Sequence, residues 1–355
     1  MSTILPTSPE MTSGLTRVAR LPHMRALAWS GDALFAARGY ELLRATMDDP
    51  QQASWQPVAR FRPPWPRRLS VQNNLTARLF RDGFHALAVL PSDLVAAVPG
   101  AIVTLHGDER EFHVTHAITR GTRPLHITAV SGDTIFWGEY FDNPSREEVH
   151  VYASTDRGLT WSVAYTFPAK AIRHVHNIVH DPWANCLWIL TGDYGDECRI
   201  LRGGCDLKHV ETILQGNQQA RAVAAVATEE GLYFSSDTPL EQNYIYRLDR
   251  AGALSRLAPI SSSSIYGCRV ADRTFFSTMV EPSEVNLDRS VRIYGAVQGG
   301  AWHPLLEWHK DRLPMRFFQY GNAFLPDGEN TTRFLAVSTV AVTGDDMATS
   351  IYHLA

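Results

Sequence analysis

Apolar residues along this chain come in short runs and not in a helical stripe. LFAAR, DLVAAV, AIVTLH, TIFWGEY, VHVYAS, CLWILTG, GLYFSS, TFFSTMV and FLAVSTVAV are rich in β-branched and aromatic residues, and Gly, Pro, Asp or Asn bounds each of them. That is the pattern of strands separated by turns. Strands at this density, with almost no amphipathic helical pattern between them, exclude a βαβ architecture.

A longer period lies above the strands. A run opening near a polar or aromatic residue, a turn, and a second strongly apolar run recur at Leu125–Glu139, His176–Gly192, Ala222–Ser236 and Ile265–Met279. The spacing of about 40 to 50 residues is that of a four-stranded propeller blade. It divides the chain into seven units, at 22–61, 84–118, 125–167, 174–214, 220–258, 264–308 and 318–355. The fold expected is therefore all-β, a seven-bladed β-propeller of four-stranded antiparallel blades. The last unit offers only three strands, near Asn322, Phe334 and Ile351. The segment Thr16–Leu21 (TRVARL) can supply the fourth and close the ring, which removes an exposed edge. Residues 1–15 are then a flexible tail and 16–355 a single domain. The stretch Arg62–Asp82 is a long connection, expected to cover one face.

Composition narrows the classes without adding chemistry. The 355 residues carry a net charge of −4, with 30 Arg and only 3 Lys, and no basic block. No nucleic-acid partner is expected from that balance. No apolar run approaches the roughly 18 to 20 residues of a membrane span. Residues 1–14 lack a basic start followed by an apolar core, so the expected location is the cytoplasm. Four cysteines without a Cys-x-x-Cys pair read as reduced thiols. Phosphate-binding Gly-Lys loops, dinucleotide fingerprints and Gly-x-Ser-x-Gly elbows are absent, which removes NTPase, dehydrogenase and serine-hydrolase readings.

One local motif is specific. Ser154-Thr155-Asp156-Arg157-Gly158-Leu159-Thr160-Trp161 fits S-x-D-x-G-x-T-W. The Asp side chain can bond backbone N–H groups of a hairpin turn, Gly can take the positive-φ position, and Trp can pack between blades. The motif resembles the Asp-box (BNR) repeat of sialidase-like β-propellers, with weaker echoes at Trp55–Phe61 and Trp302–Trp308. In that family the Asp-box is a structural turn on the face away from the active site. Phe61-Arg62-Pro63-Pro64 matches the family's Phe-Arg-Ile-Pro segment only in part.

In a propeller, the loops leading into each blade's first strand and the loops after each second strand share one face. That rule gathers the unusual polar residues of the chain. His174 and His176, at i and i+2 on an extended segment, point to one side of it. His126 opens the preceding blade at the equivalent place. These three histidines could bind Zn²⁺ or Mn²⁺, with Gln219, Glu139 or Glu241 completing the shell. They could equally be acid/base groups, or hydrogen-bonded loop residues that order the channel mouth. Arg221 and Arg173 could clamp a carboxylate or pair with local acids. Tyr140 and Tyr266 could act as acid or base, or simply pack. Glu139, Asp193, Glu197, Glu241 and Glu281 could hold sugar hydroxyls or a cation, or simply cap loop N–H groups, and Gln219 and Asn243 could hold substrate. His180, before Asp181-Pro182, is expected near a hairpin on the opposite face.

By residue type, the set His126, Tyr140, His174, His176, Arg221 and Tyr266 is similar to that of propeller polysaccharide lyases. The resemblance implies a carbohydrate-active enzyme, a lyase on an acidic, uronate-containing glycan, with a small-molecule or glycan substrate. The alternatives are a non-catalytic propeller that binds a glycan or protein on this face, and a small-molecule cyclase or isomerase using the same pocket.

Overall fold

The computed structural model describes residues 14–71 and 73–355. Its strands assemble into seven sheets, each with four antiparallel strands, arranged as the blades of a propeller. Blade 1 is built from Arg25–Gly31, Ala33–Arg38, Glu41–Thr46 and Gln56–Arg60, and blade 2 from Ala86–Val89, Asp93–Val98, Ala101–His106 and His113–Ala117. Blade 3 uses Thr128–Ser131, Thr134–Gly138, Val149–Ser154 and Ser162–Phe167. Blade 4 uses Val175–Asp181, Cys186–Thr191, Arg199–Gly204 and Val210–Gln215. Blade 5 uses Ala222–Thr228, Gly231–Ser236, Tyr244–Asp249 and Leu254–Pro259. Blade 6 uses Ser264–Val270, Arg273–Thr278, Ser290–Val297 and His303–His309.

Blade 7 joins the two ends of the chain. Its inner strands are Asn322–Phe324, Phe334–Val340 and Ala348–Leu354, and Leu15–Pro22 pairs antiparallel with the last of these as the outermost strand. A second link closes the ring on the inside. Asp327–Asn330 leaves blade 7 and pairs in parallel with Ala28–Gly31 of blade 1. Most of the segment expected as a tail, residues 1–13, lies outside the described residues.

The core is divided among the seams between blades. Leu27, Phe84 and Val103 belong to the cluster between blades 1 and 2. Phe136, Ile178 and Leu187 lie between blades 3 and 4. Trp29, Ala336 and Ile351 fill the seam between blades 7 and 1, beneath Val18 and Leu21 of the outermost strand. Inner strands are thus covered on both faces, which is why DLVAAV and CLWILT are fully buried and read as unbroken apolar runs.

The connection after blade 1 is not a plain loop. It forms two short helices, Trp65–Ser70 and Asn74–Phe80. Pro66 sits in the first turn of the first helix, and Asn73 caps the second by accepting from the Leu75 N–H at 2.8 Å. Buried Arg78 ties the second helix to the far side of the seam, donating to Asp311 at 2.7 Å, Asp346 at 2.9 Å and the Phe318 carbonyl at 2.6 Å. These helices sit over the face that carries the loops leading into first strands, here called the upper face. A third short helix, Met315–Phe318, stands beside them. Among the described residues no helix is long and apolar enough to cross a membrane.

The Ser154–Trp161 turn lies on the lower face, joining the third and fourth strands of blade 3. Asp156 accepts from the Thr160 N–H at 2.9 Å and the Thr160 hydroxyl at 2.6 Å, and Gly158 adopts φ +86°. A Cβ at Gly158 would come within 2.7 Å of Val95 in blade 2, so the turn is pressed against the neighbouring blade. The Trp161 indole donates to Thr115 of blade 2 at 3.3 Å.

Candidate functional site

The upper end of the channel has two unlike halves. The first is built by blades 3 to 6. His174 precedes the first strand of blade 4, and His176 lies just inside it. There the strand carries an extra residue: Val175 pairs with Thr191 and Asn177 with Leu190, leaving His176 unpaired in the ladder. Such a bulge re-aims a side chain, and the two Nε2 atoms face each other at 3.1 Å. Each ring is held from behind, His174 Nδ1 at 2.9 Å from the Phe141 carbonyl and His176 Nδ1 at 2.9 Å from the Ala222 carbonyl.

Asp193, after the second strand of blade 4, completes the group. Its carboxylate lies 3.4 Å from His176 Nε2 and 3.7 Å from His174 Nε2. Arg173 contacts it at 3.1 Å and Arg221 at 3.4 Å. Gln218 donates to its main-chain carbonyl at 3.0 Å. All three members of the trio are buried. Burial, followed by the nearness of the second imidazole, pushes the His174 pKa down to about 4. Burial alone would raise the Asp193 carboxyl, but its contacts with His176 and His174 and the nearby Arg221 outweigh that and hold it well below the usual range. Asp237 and Glu281, from blades 5 and 6, flank Arg221. Burial followed by the Asp237 charge pushes Glu281 up to about 7, and burial raises Asp237 as well. Tyr140 packs against His174 with its ring tilted by 47° and centroids 4.4 Å apart, and burial pushes its phenol up to about 12.

The second half is cationic and comes from blades 1, 2, 3, 6 and 7. Arg25 opens blade 1, His85 opens blade 2 and Arg123 opens blade 3. Arg25 donates to His85 Nδ1 at 3.2 Å and to the His85 carbonyl at 3.1 Å, and its guanidinium lies 3.9 Å over the Phe324 ring. His85 Nε2 donates to the Arg81 carbonyl at 2.7 Å. Burial, then repulsion from Arg25, lowers the Arg123 pKa to about 10. Tyr266 and Asp327 are the balancing groups, and burial raises the Tyr266 phenol. A cavity of about 110 Å³ opens between blades 1 and 7 under the helices, with Arg25, Arg81, His85, Gln319 and Phe324 in its wall.

Five side-chain atoms of this mouth are buried with no hydrogen-bond partner among the described residues: Arg25 Nε, His126 Nε2, Arg173 Nε, Arg221 Nε and Asp237 Oδ1.

The residues singled out in the sequence divide accordingly. His174, His176, Tyr140, Arg173, Arg221 and Asp193 come together. His126 is not the third ligand beside the histidine pair. Its Nδ1 lies 3.2 Å from Asp327 and its ring 5.8 Å from Tyr266, in the cationic half, because blade 3 places it across from blade 7. Arg221 is engaged by Asp193 and Asp237 rather than free to clamp a ligand. Glu139 is buried in a pair with Arg120 and accepts from the His150 N–H at 2.8 Å, so it fixes a loop. Glu197 pairs with Arg146 at 2.6 Å. Asn243 is wholly buried and bridges Thr238 and Asn286. Glu241 is exposed, and Gln219 is half-buried while its neighbour Gln218 makes the contacts. Glu241 does not join the trio as a possible metal ligand. Tyr266 stands with Arg25 and not with the histidine pair. His180 is the penultimate residue of the first strand of blade 4, at its lower end. The residues missed are Arg25, His85, Arg123 and Asp327. The first two open blades 1 and 2, so the loop rule that found His126 and His174 also reaches them once it is applied to every blade.

No family model matches the chain, and no curated protein matches its sequence. Solved structures do match in fold. A chain of the Mitotic Checkpoint Complex crystal structure is 11% identical with a TM-score of 0.57, covering 100% of both chains. The WD40 β-propeller domain of Doa1 is 12% identical with a TM-score of 0.57, covering 97% of this chain and 98% of that one. A puromycin hydrolase is 11% identical with a TM-score of 0.53, covering 87% of this chain and 51% of its own. At such identities the likeness is one of fold: this chain is a seven-bladed β-propeller. None of these neighbours is an Asp-box or sialidase-type protein by name, and the Ser154–Trp161 likeness stays confined to one turn.

Proposed function

We propose that the upper channel mouth binds a carboxylate-bearing ligand, an acidic sugar being the class that fits, and that it acts as a binding site. Arg123 carries this reading. Burial and two other guanidiniums, Arg25 and Arg81, act against its charge, while the carboxylate of this half, Asp327, is paired with His126, and among the described residues Arg123 forms no ion pair. Partly buried guanidiniums held together cost free energy that a bound anion offsets, and a planar carboxylate matches the guanidinium fork. Tyr140, Tyr266 and Phe324 offer faces for a sugar ring, and Asp327 and Gln319 offer polar contacts.

The lyase chemistry expected from residue types has less support. A phenol serving as base needs its pKa lowered, and burial raises both Tyr140 and Tyr266. Calorimetry with oligogalacturonate and with the matching neutral oligosaccharide tests the proposal. Binding of the acidic ligand alone is expected, weakened at least about tenfold in Arg123→Gln. Equal binding of both ligands, or no effect of that substitution, would overturn it. Ultraviolet absorbance appearing on incubation would restore the lyase.

A protein-partner reading rests on a separate observation. Trp65, Leu69, Leu75, Leu79, Phe80 and Phe317 are all exposed on the three short helices of the upper face. Large apolar side chains concentrated in this way mark interaction surfaces. Sedimentation of the wild type beside a Leu75→Glu/Phe80→Glu variant tests for a second copy of this chain as the occupant. Self-association lost in the variant supports it, and a monomeric wild type at high concentration removes it.

A further inference from the structure

The structure assigns a divalent transition-metal site to His174, His176 and Asp193, with two imidazole nitrogens and one carboxylate as ligands. Counting hydrogens leads there. Three contacts need one proton each: His174 Nδ1 to the Phe141 carbonyl, His176 Nδ1 to the Ala222 carbonyl, and Nε2 to Nε2 at 3.1 Å. Two neutral imidazoles carry two protons. A carbonyl can only accept, so both protons belong on Nδ1, and two Nε2 lone pairs then face each other with the Asp193 carboxylate beside them. Such an arrangement of three donors calls for a cation between them. Imidazoles oriented by Nδ1–H to backbone carbonyls are the usual support behind metal-bound Nε2.

The spacing fits. An ion about 2.05 Å from each ligand sets the edges of a tetrahedral site at about 3.3 Å. The edges observed are 3.1 Å between the imidazoles, 3.4 Å from His176 to Asp193 and 3.7 Å from His174 to Asp193. Two nitrogens and one oxygen favour Zn²⁺ and its first-row neighbours over Mg²⁺ or Ca²⁺. Among the described residues no other His, Cys, Asp or Glu joins the trio. At least one coordination position is thus left to water or a ligand, as in sites that do more than hold the fold. Arg173 and Arg221, both in contact with Asp193, work against a cation. Asp142 and Asp237 engage the same two guanidiniums and offset that effect. This site stands independently of the anionic ligand proposed above.

Chelator-treated protein titrated with Zn²⁺ in a calorimeter should take up one equivalent. Asp193→Asn and His176→Ala should each weaken it at least about 100-fold, while His180→Ala on the lower face should not. Melting curves of each variant show whether it is folded. If either fails to fold, X-ray absorption at the zinc edge of the wild type decides alone. Two imidazole scatterers at about 2.0 to 2.1 Å support the site. No stoichiometric uptake, uptake unchanged in Asp193→Asn, or a zinc shell without imidazole would overturn it. Loss of acidic-sugar binding in Arg123→Gln with zinc uptake intact would separate the two proposals.

Discussion

Blade 4 carries a buried aspartate at each end, and the two are used in opposite ways. At the lower end Asp181 is wholly buried and fully engaged. It accepts from the Trp183 and Ala184 N–H groups at 3.1 Å each, from the Trp188 indole at 3.0 Å, and from Arg250 of blade 5. Every partner is a donor, and the result is a staple between blades. Asp93 and Arg157 repeat it between blades 2 and 3 at 3.0 Å. At the upper end Asp193 faces two imidazole nitrogens and two guanidiniums, each at 3.1 Å or more. Its partners have second partners of their own, and several of their atoms have none. The lower face has spent its charges on holding blades together. The upper face keeps charges that a ligand or ion could use.

That contrast predicts its largest effect at Asp181. Asp181→Ala removes the counter-charge of Arg250, which keeps only the Thr228 and Glu229 carbonyls, and leaves an indole N–H and two backbone donors without their acceptor, and should cost about 3 to 5 kcal/mol in urea or thermal unfolding. Asp193→Asn should cost less, about 1 to 3 kcal/mol in metal-free protein: the surroundings that hold its carboxyl below the ordinary value lose their charge partner, but Arg173 retains Asp142 and Arg221 retains Asp237. Equal losses at both ends would break the comparison. An effect of the same order is expected at Asp156, where Ala removes the bonds to Thr160 and leaves the turn otherwise seated. About 1 to 3 kcal/mol should be lost, with ligand and zinc binding of the folded protein unchanged. Altered binding at unaltered stability would mean that the two faces communicate.

The fold was more legible than the site, for a physical reason. Blade strands are covered on both faces, so their apolar runs and the Gly, Pro and Asp turns between them are written directly in the sequence. The parallel strand Asp327–Asn330 was not visible, because DGEN has no apolar pattern and its place is set by closure of the ring. The helical cover was read only as a connection, since Trp65–Ser70 and Asn74–Phe80 are too short to show a periodic stripe. At the site, the loop rule gave the right face for His174, His176, Tyr140 and Asp193. It could not give the direction in which each blade points its residue. His126 and His174 both lie just before the first strands of neighbouring blades, yet one reaches Asp327 and the other Asp193.

The smallest effect concerns pH, and it also separates the two faces. Asp181 has a pKa below the ordinary aspartate value: burial would raise it, but Arg250 and Trp188 outweigh that. Its contribution is therefore complete above the unfolded value and is lost only as pH falls through the lower folded one, well into acid. His85 works the other way. Burial, then the charges of Arg123 and Arg25, hold it well below its ordinary value. Its Nδ1 accepts from Arg25 at 3.2 Å while its Nε2 donates to the Arg81 carbonyl, so a second proton would be set against a guanidinium. In the unfolded chain it takes up a proton near 6.5, and in the folded chain only far below that. Stability should fall as pH drops from 7.5 to 5.5, by at most about 1.4 kcal/mol for this one group. His85→Gln keeps one acceptor and one donor and cannot titrate. Its unfolding free energy should decline less steeply over that range than that of the wild type, though not stay flat, since His116, His174 and His180 are also lowered by burial. Identical slopes would place the acid response elsewhere and remove His85 from the strained upper half. A difference of about one proton's worth would show that the cationic mouth of the metal- and ligand-free protein is held together by a neutral imidazole.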